Sequence, residues 1–546
     1  MNSETSSTPN LLDYFGAEML SRSLIPTRPQ PLSIKGSALS TDSQFRPLRR
    51  FRSLAAAVTG VVMVLAPTAC GSNSTGTDST LVIAQTSDVR SLYASSSTVQ
   101  SEINVSGQIT EKLIALAPDG KSFVPALAEK WEPVDAETTR FTLRTGVTFS
   151  NGEPFDAEAA KFGLGVMRDA ASYKPYTSMI SDVRVVDPQT IDIVTKNPSP
   201  LLLAGLAVGS FQYPPVYFAE QGVDGFAEAP IGTGPYLLDK RTKGVSITMK
   251  RNDSYWNGKP AIQSLEFRII PEPASQISAL RNGEVDIVQD VPISARSQVK
   301  DASGVELVPS PATRINYMFF NSRADGPLQE SKVRQALQYA INVPDIIKGA
   351  LGGYGQPLKG QLAVDWMSGY DSDRTVTAPD VAKAKALLAE AGYPEGFTIP
   401  LEYAATSKEI GQAIATQLAN VGIETTQSVM EPGTFVERIV TNKMTGLTFW
   451  GFLAQPDADD IYRGFQSDYR FSYYNNPNID SLVKAERSTL DPDVRADVFT
   501  QMLGAFDADP AFVPLYQSDE AYGVSSSVTG FVPQADLKIN VAGLSK

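Results

Sequence analysis

The sequence predicts an α/β protein with at least two domains, and three observations carry this prediction. A chain of 546 residues exceeds what one ordinary hydrophobic core organises. Its 42% hydrophobic and 20% charged content is typical of globular proteins. Apolar runs of period two also alternate with helical patterns, as in a strand over residues 397–403 that precedes a helix starting near Thr406.

The composition excludes several classes of function. The chain has no histidine and only one cysteine, Cys70. It therefore lacks the residues for Ser-His-Asp or Cys-His catalysis, for a disulfide framework and for the commonest zinc sites. A net charge of −13 argues against nucleic acid as a partner. Two Ser-x-x-Lys strings, at 297–300 and 481–484, lack the companion motifs of a serine hydrolase. We predict no enzyme, no catalytic residue, no cofactor and no metal.

Residues 1–69 are predicted to be a disordered N-terminus followed by a signal peptide. The basic segment 46–52 precedes an uncharged apolar run over 53–66, which is shorter than the roughly 20 residues of a membrane span. The run ends at PTACGS, which resembles a bacterial lipobox and implies that Cys70 is lipidated. Residues 70–80 would then be a flexible tether. The alternative is a plain secreted or single-span protein with an idle cysteine.

The stretch 127–162 predicts a strand, a turn and a helix. Phe141 begins an alternating apolar pattern that continues beyond Gly146, and Asn151 with the glycine after it marks a turn. Asp156 stands where the N-cap of the following helix belongs.

The same stretch resembles the signature of the extracellular solute-binding proteins of family 5, the peptide- and nickel-type binding lipoproteins of ABC importers. The matching strings are AEKW, LRTGVTF and GEPFDA at this spacing, with IGTGPY and NDSYWNGKPAI further along. The resemblance implies a two-lobed periplasmic-binding-protein-like fold of type II. It also implies an extra subdomain in lobe I, a hinge between the lobes, and partner subunits in a membrane permease.

The resemblance also implies the domain boundaries. Lobe I would be discontinuous, over 81–312 and 511–546, and lobe II would cover 313–510. The first crossover would lie near 313–321, and residues 511–517 would form a strand that returns the chain to lobe I. Strands and helices alternate within lobe II, which predicts a largely parallel sheet.

The candidate binding residues follow a buried strand over 447–453 that contains Trp450. Ligands of α/β folds meet the loops at the carboxyl ends of strands. In peptide-binding relatives, an aspartate of this turn would pair with the ligand's ammonium group. Here Gln455 replaces the first acid, so either Asp457 takes the ammonium or the ligand has none at that end. Alternatively, Asp457 and its neighbours Asp459 and Asp460 cap the next helix.

Three aromatic residues complete the candidates. Trp450 is either a pocket wall or plain core, and Tyr93 and Tyr317 are expected near the cleft. The resemblance implies an oligopeptide as the first choice of ligand. An oligosaccharide and a chelated metal are the alternative ligands. The protein would be a monomer anchored by lipid to the outer face of the cytoplasmic membrane. The rival classes are a lipid-anchored cell-wall hydrolase and a scaffold without a small ligand.

Overall fold

The computed structural model describes residues 79–310 and 314–546, so the predicted signal peptide, Cys70 and nearly all of the tether lie outside the described residues. None of the helices in these ranges combines the length and the apolar character that crossing a bilayer requires. The strands are β1 Thr80–Gln85, β2 Ile114–Leu116, β3 Phe123–Pro125, β4 Ala128–Pro133, β5 Thr138–Leu143, β6 Ile180–Asp187, β7 Thr190–Thr195, β8 Tyr236–Thr242, β9 Ser246–Arg251, β10 Ser264–Ile269, β11 Ile287–Val288, β12 Val305–Ser310, β13 Arg314–Phe320, β14 Gln356–Pro357, β15 Phe397–Ala404, β16 Ile423–Met430, β17 Leu447–Leu453, β18 Phe512–Gln517 and β19 Glu520–Ser525. The helices are α1 Gln100–Ser106, α2 Ala157–Asp169, α3 Lys174–Thr177, α4 Leu202–Gly209, α5 Pro215–Glu228, α6 Pro273–Arg281, α7 Arg296–Lys300, α8 Ser331–Ala340, α9 Val343–Ala350, α10 Val381–Glu390, α11 Lys408–Ala419, α12 Pro432–Val440, α13 Asp459–Tyr462, α14 Pro477–Glu486 and α15 Pro492–Ala508.

Lobe I is built on a seven-stranded sheet of order β12-β19-β11-β1-β10-β9-β8. β1 runs parallel to both of its neighbours, β10 and β11. The alternate residues Leu81 and Ile83 of β1 are buried in one apolar layer with Phe267 of β10 and Ile247 of β9. β19 comes from the C-terminal part of the chain and lies antiparallel between β11 and β12.

The stretch 127–162 belongs to a subdomain of lobe I with an antiparallel sheet of order β4-β5-β7-β6. β5 ends earlier than the alternating pattern predicts, because Gly146 has a φ of 73° and leaves the extended region. The predicted N-cap is confirmed, since the Asp156 side chain accepts a hydrogen bond from the backbone nitrogen of Ala159 at 3.0 Å. α2 then buries Leu164 in the core of this subdomain.

Lobe II is built on a six-stranded sheet of order β14-β18-β13-β17-β15-β16. β15 is parallel to β16 and β17, but β13 is antiparallel to β17 and β18, and β14 is antiparallel to β18. The prediction of a largely parallel sheet is therefore wrong. One physical reason is that β13 carries the chain into the lobe and β18 carries it out at the same end, so these two neighbouring strands run in opposite directions.

The chain crosses between the lobes after β12 and again at Ser518 and Asp519. The expectation that residues 511–517 belong to lobe I needs a correction, because β18 forms ladder hydrogen bonds with β13 and β14 of lobe II. The return crossing thus lies seven residues later than the predicted boundary at 511 (518 − 511 = 7). The backbone nitrogen of Ser518 donates to the carbonyl of Arg314 at 3.0 Å, and Ser310 pairs with Glu520, so the described residues that flank the two crossings lie next to one another.

Candidate ligand-binding site between the lobes

Trp450 and Phe449 of β17 lie on opposite faces of the lobe II sheet, because successive side chains of a strand alternate. Phe449 is buried in one apolar cluster and Trp450 in another. Tyr317 of β13 lies directly opposite Trp450 in the antiparallel ladder. The two predicted aromatic residues therefore share one face, and the Trp450 ring centroid lies 5.8 Å from that of Phe435.

Trp450 and Tyr317 line a cavity of about 660 Å³ within lobe II, which we name the aromatic pocket. Asp460 contributes the one carboxylate of its lining. The aromatic pocket is lined by Tyr317, Phe319, Phe320, Ile439, Trp450, Phe452, Asp460, Ile461, Gly464, Phe465, Tyr469, Phe471, Tyr473 and Tyr474.

A second cavity of about 340 Å³ lies between the two lobes, and we name it the cleft pocket. Its lobe I wall comes from α3, α4 and adjoining residues and is almost wholly apolar, whereas its lobe II wall is polar. Asp460 lines both cavities and so connects the cleft pocket with the aromatic pocket. The lobe I wall is Pro175, Tyr176, Met179, Leu201, Ala204, Gly205 and Val208, and the lobe II wall is Gln455, Pro456, Asp457, Asp459, Asp460 and Arg463.

Asp457 is buried and both of its carboxylate oxygens are engaged by Arg495 of α15. Oδ2 accepts from Nη1 at 2.6 Å and Oδ1 accepts from Nη2 at 2.7 Å. Asp457 Oδ1 also accepts from the backbone nitrogen of Asp459, the first residue of α13, at 2.9 Å, although the N-cap residue of this helix is Ala458. Arg495 Nη2 donates in addition to Glu486 Oε2 at 2.6 Å. The carboxylate proposed to hold a ligand ammonium is thus already paired inside the protein.

The neighbouring aspartates are paired as well. Asp459 accepts from Arg487 Nε at 2.5 Å, and this arginine lowers the pKa of Asp459 although burial alone would raise it. Asp460 pairs with Arg463, but burial prevails and raises the pKa of Asp460. We name these residues the charged cluster: Asp457, Asp459, Asp460, Glu486, Arg463, Arg487 and Arg495.

Glu486 is the most deeply buried carboxyl of the charged cluster, with no exposed surface. Burial, together with the nearby charge of Asp459, raises the pKa of Glu486 to about 9, against the opposing effect of Arg495. The carboxyl therefore carries its proton at neutral pH. Within the described residues, no group of three or more acidic, histidine or cysteine side chains is placed to hold a metal ion.

The structure brings four of the five predicted binding residues to these two cavities. Trp450 and Tyr317 line the aromatic pocket, and Gln455 and Asp457 line the cleft pocket. Tyr93 lines neither: its ring lies 5.5 Å from that of Tyr213, within the core of the lobe I subdomain, where burial raises its pKa to about 12.

Sequence reasoning missed Arg463, Glu486 and Arg495. Arg495 lies 38 residues after Asp457 in the sequence, on a helix whose pattern shows nothing unusual, so no local signal pairs the two. The α3–α4 wall of the cleft pocket was also missed. The only available signal was the run LLLAGLAVG, whose apolar residues continue on every side of the helix.

Two lobes with separate sheets, joined by two crossings and with a cavity between them, define a two-lobed fold of the periplasmic-binding-protein type. The profile of the bacterial extracellular solute-binding proteins, family 5 (middle region), matches residues 122–473. The chain belongs to this family, whose members are extracellular solute-binding components of ABC importers and not enzymes.

Individual proteins agree with this assignment. The chain is 27% identical over 449 residues to a dipeptide-binding protein of Escherichia coli (strain K12), covering 75% of this chain and 83% of the relative. It is 29% identical over 423 residues to the glutathione-binding protein GsiB of Salmonella paratyphi A, covering 73% and 81%. HbpA2 from Haemophilus parasuis has the same fold, with a TM-score of 0.75 and 23% identity over 85% of this chain and 99% of that one.

Proposed function

We propose that this protein captures a small solute, an oligopeptide in the first instance, between its lobes and delivers it to the permease of an ABC importer. The observation that carries the proposal is the cleft pocket, because its walls come from both lobes. Relatives named for dipeptide and glutathione binding favour a peptide-like ligand. A cavity with one apolar wall and one polar wall can enclose a small molecule and fix its orientation.

The mechanism that follows is hinge closure. The residues that flank the two crossings are neighbours, so lobe II can rotate against lobe I with few backbone changes. A solute that touches both walls favours the closed form by the difference in its affinity for the two forms. A micromolar ligand supplies roughly 8 kcal/mol of binding free energy, part of which stabilises closure.

Anchoring by lipid is the second part of the proposal. Cys70 follows an apolar run and precedes a polar tether, which is the arrangement that an acylated N-terminus needs. Growing cells with an alkyne-bearing fatty acid should label the wild-type protein but not the Cys70→Ala variant. Labelling of both proteins, or of neither, would refute lipidation at this residue.

The capture proposal is tested by the solute that the protein retains. Protein purified without denaturation should release a small molecule that mass spectrometry identifies, and adding this molecule back should reduce the radius of gyration in small-angle X-ray scattering. An oligosaccharide or a metal chelate in this assay would replace the peptide but keep the capture mechanism. Chemical conversion of the released molecule by the protein would refute the proposal.

A further inference from the structure

Every aspartate of the charged cluster is already paired with an arginine. Each of its three aspartates is in an ion pair with a different arginine. Glu486 adds no negative charge at neutral pH because burial raises its pKa to about 9. Three negative charges thus face three positive ones. A ligand ammonium in this cleft would lose its hydration without gaining an unpaired opposite charge.

Arg463 offers the opposite kind of group. It donates to Asp460 through Nη2, while its Nε is buried and has no hydrogen-bond partner among the described residues. Arg463 lies in the lobe II wall of the cleft pocket. Buried donors are nearly always satisfied, so an acceptor that enters the cleft pocket would complete the hydrogen bonding of this side chain. A carbonyl or carboxylate oxygen is the acceptor that a guanidinium binds best.

The aromatic pocket restricts the shape and polarity of the ligand group that can enter it. Twelve of its fourteen lining residues are aromatic or aliphatic, and the remaining two are Gly464 and Asp460. Asp460 is already paired with Arg463, whose positive charge disfavours a second cation beside it. A planar ring can pack against such walls in offset or edge-to-face geometry.

We propose that the solute presents a bulky aromatic group to the aromatic pocket, an oxygen acceptor to Arg463, and no ammonium group at that end. For a peptide, this means one whose terminal amine is acylated. The inference rests on the proposed function and narrows its substrate class. It assigns Arg463 as a ligand-binding residue and Asp457 as a structural one.

Two probes that differ only at the amine test the inference on the unmodified protein. N-acetyl-Phe-Phe and Phe-Phe share both rings and the carboxylate, so isothermal titration calorimetry isolates the effect of the ammonium. We expect N-acetyl-Phe-Phe to bind at least tenfold more tightly. Equal or tighter binding of Phe-Phe would overturn the inference, and so would the absence of saturable binding by both probes.

A variant that fills part of the aromatic pocket tests whether the ring of the ligand binds there. A Cβ at Gly464 would meet no atom within 4 Å, so the backbone leaves room for Gly464→Leu to start a side chain at the wall of the aromatic pocket. We expect this variant to weaken N-acetyl-Phe-Phe by at least tenfold. Gly504→Leu is the matched control, because Gly504 is exposed on α15 and a Cβ there also meets no atom within 4 Å. Equal weakening by both variants would refute the pocket assignment.

The outcome separates this inference from the capture proposal. A free-amine peptide that binds tightly and closes the lobes in scattering would leave the capture proposal intact and overturn the narrower substrate class. Failure of the co-purified solute to close the lobes would instead count against capture itself.

Discussion

Replacing Arg495 with methionine is the sharpest test of the charged cluster, because methionine keeps an unbranched stem but removes the guanidinium. Arg495 makes two hydrogen bonds to Asp457, at 2.6 and 2.7 Å, and one to Glu486, at 2.6 Å. Asp457 is only 6% exposed, so the variant leaves an unpaired carboxylate buried away from water. Breaking a buried ion pair by removing one partner costs about 3–5 kcal/mol of the free energy of unfolding.

Urea unfolding followed by tryptophan fluorescence measures this loss. The free energy of unfolding falls by roughly 1–3 kcal/mol per molar urea. At about 3 kcal/mol per molar, a loss of about 3–5 kcal/mol lowers the urea midpoint by about 1–1.7 M. Arg184→Met is the matched control, because Arg184 and its partner Asp182 are 60% and 55% exposed. Such exposed pairs contribute about 0–1 kcal/mol.

The reasoning is refuted if Arg495→Met destabilises the protein no more than Arg184→Met does. The double variant Arg495→Met with Asp457→Asn provides a second check. Removing both partners leaves no isolated charge, so this protein should recover part of the lost stability. A double variant that is less stable than Arg495→Met would show that the cluster is not held by this pair.

Three further predictions concern individual groups. Glu486 has a pKa raised from 4.5 to about 9, so its proton-linked stabilisation is complete below about pH 4.5 and is lost as the pH rises to about 9. Glu486→Gln should therefore flatten the decline in urea midpoint between pH 5 and pH 9, and an unchanged slope would contradict the assignment. Asp457→Asn should lower the urea midpoint yet leave the calorimetric affinity ratio of N-acetyl-Phe-Phe to Phe-Phe unchanged, because Asp457 is committed to Arg495; loss of Phe-Phe binding alone would show a ligand role instead. Asp156→Ala removes the hydrogen bond to Ala159 and should reduce the free energy of unfolding by about 1 kcal/mol in urea titrations, whereas no change would show that the cap is dispensable.

Local patterns predicted the elements of this fold better than they predicted its sheets. The N-cap at Asp156 and the alternation at Leu81 and Ile83 depend on neighbours within a few residues, and the structure has both. Strand direction in lobe II depends on where the chain enters and leaves, which no local pattern encodes. For the same reason, the sequence of β18 indicates a buried strand but not the sheet to which the strand belongs.

The same difference between local patterns and long-range arrangement applies to the candidate site. Trp450 and Gln455 were found because they stand at the end of a recognisable strand, where cavities of α/β proteins form. The partners that decide what Asp457 does come from α14 and α15, and only the three-dimensional arrangement brings them together. Tyr93 shows the opposite error: an aromatic residue predicted near a cleft is buried among other rings, where it stabilises a core.

The position of β19 also determines when lobe I can finish folding. Until the ribosome has released residues 520–525, the backbone groups of β11 and β12 that face β19 have no partners, although both strands were synthesised more than 200 residues earlier (520 − 310 = 210). An incomplete chain would expose these unpaired edges to aggregation. A truncation before Glu520 should therefore yield an intact lobe II beside an unfinished lobe I.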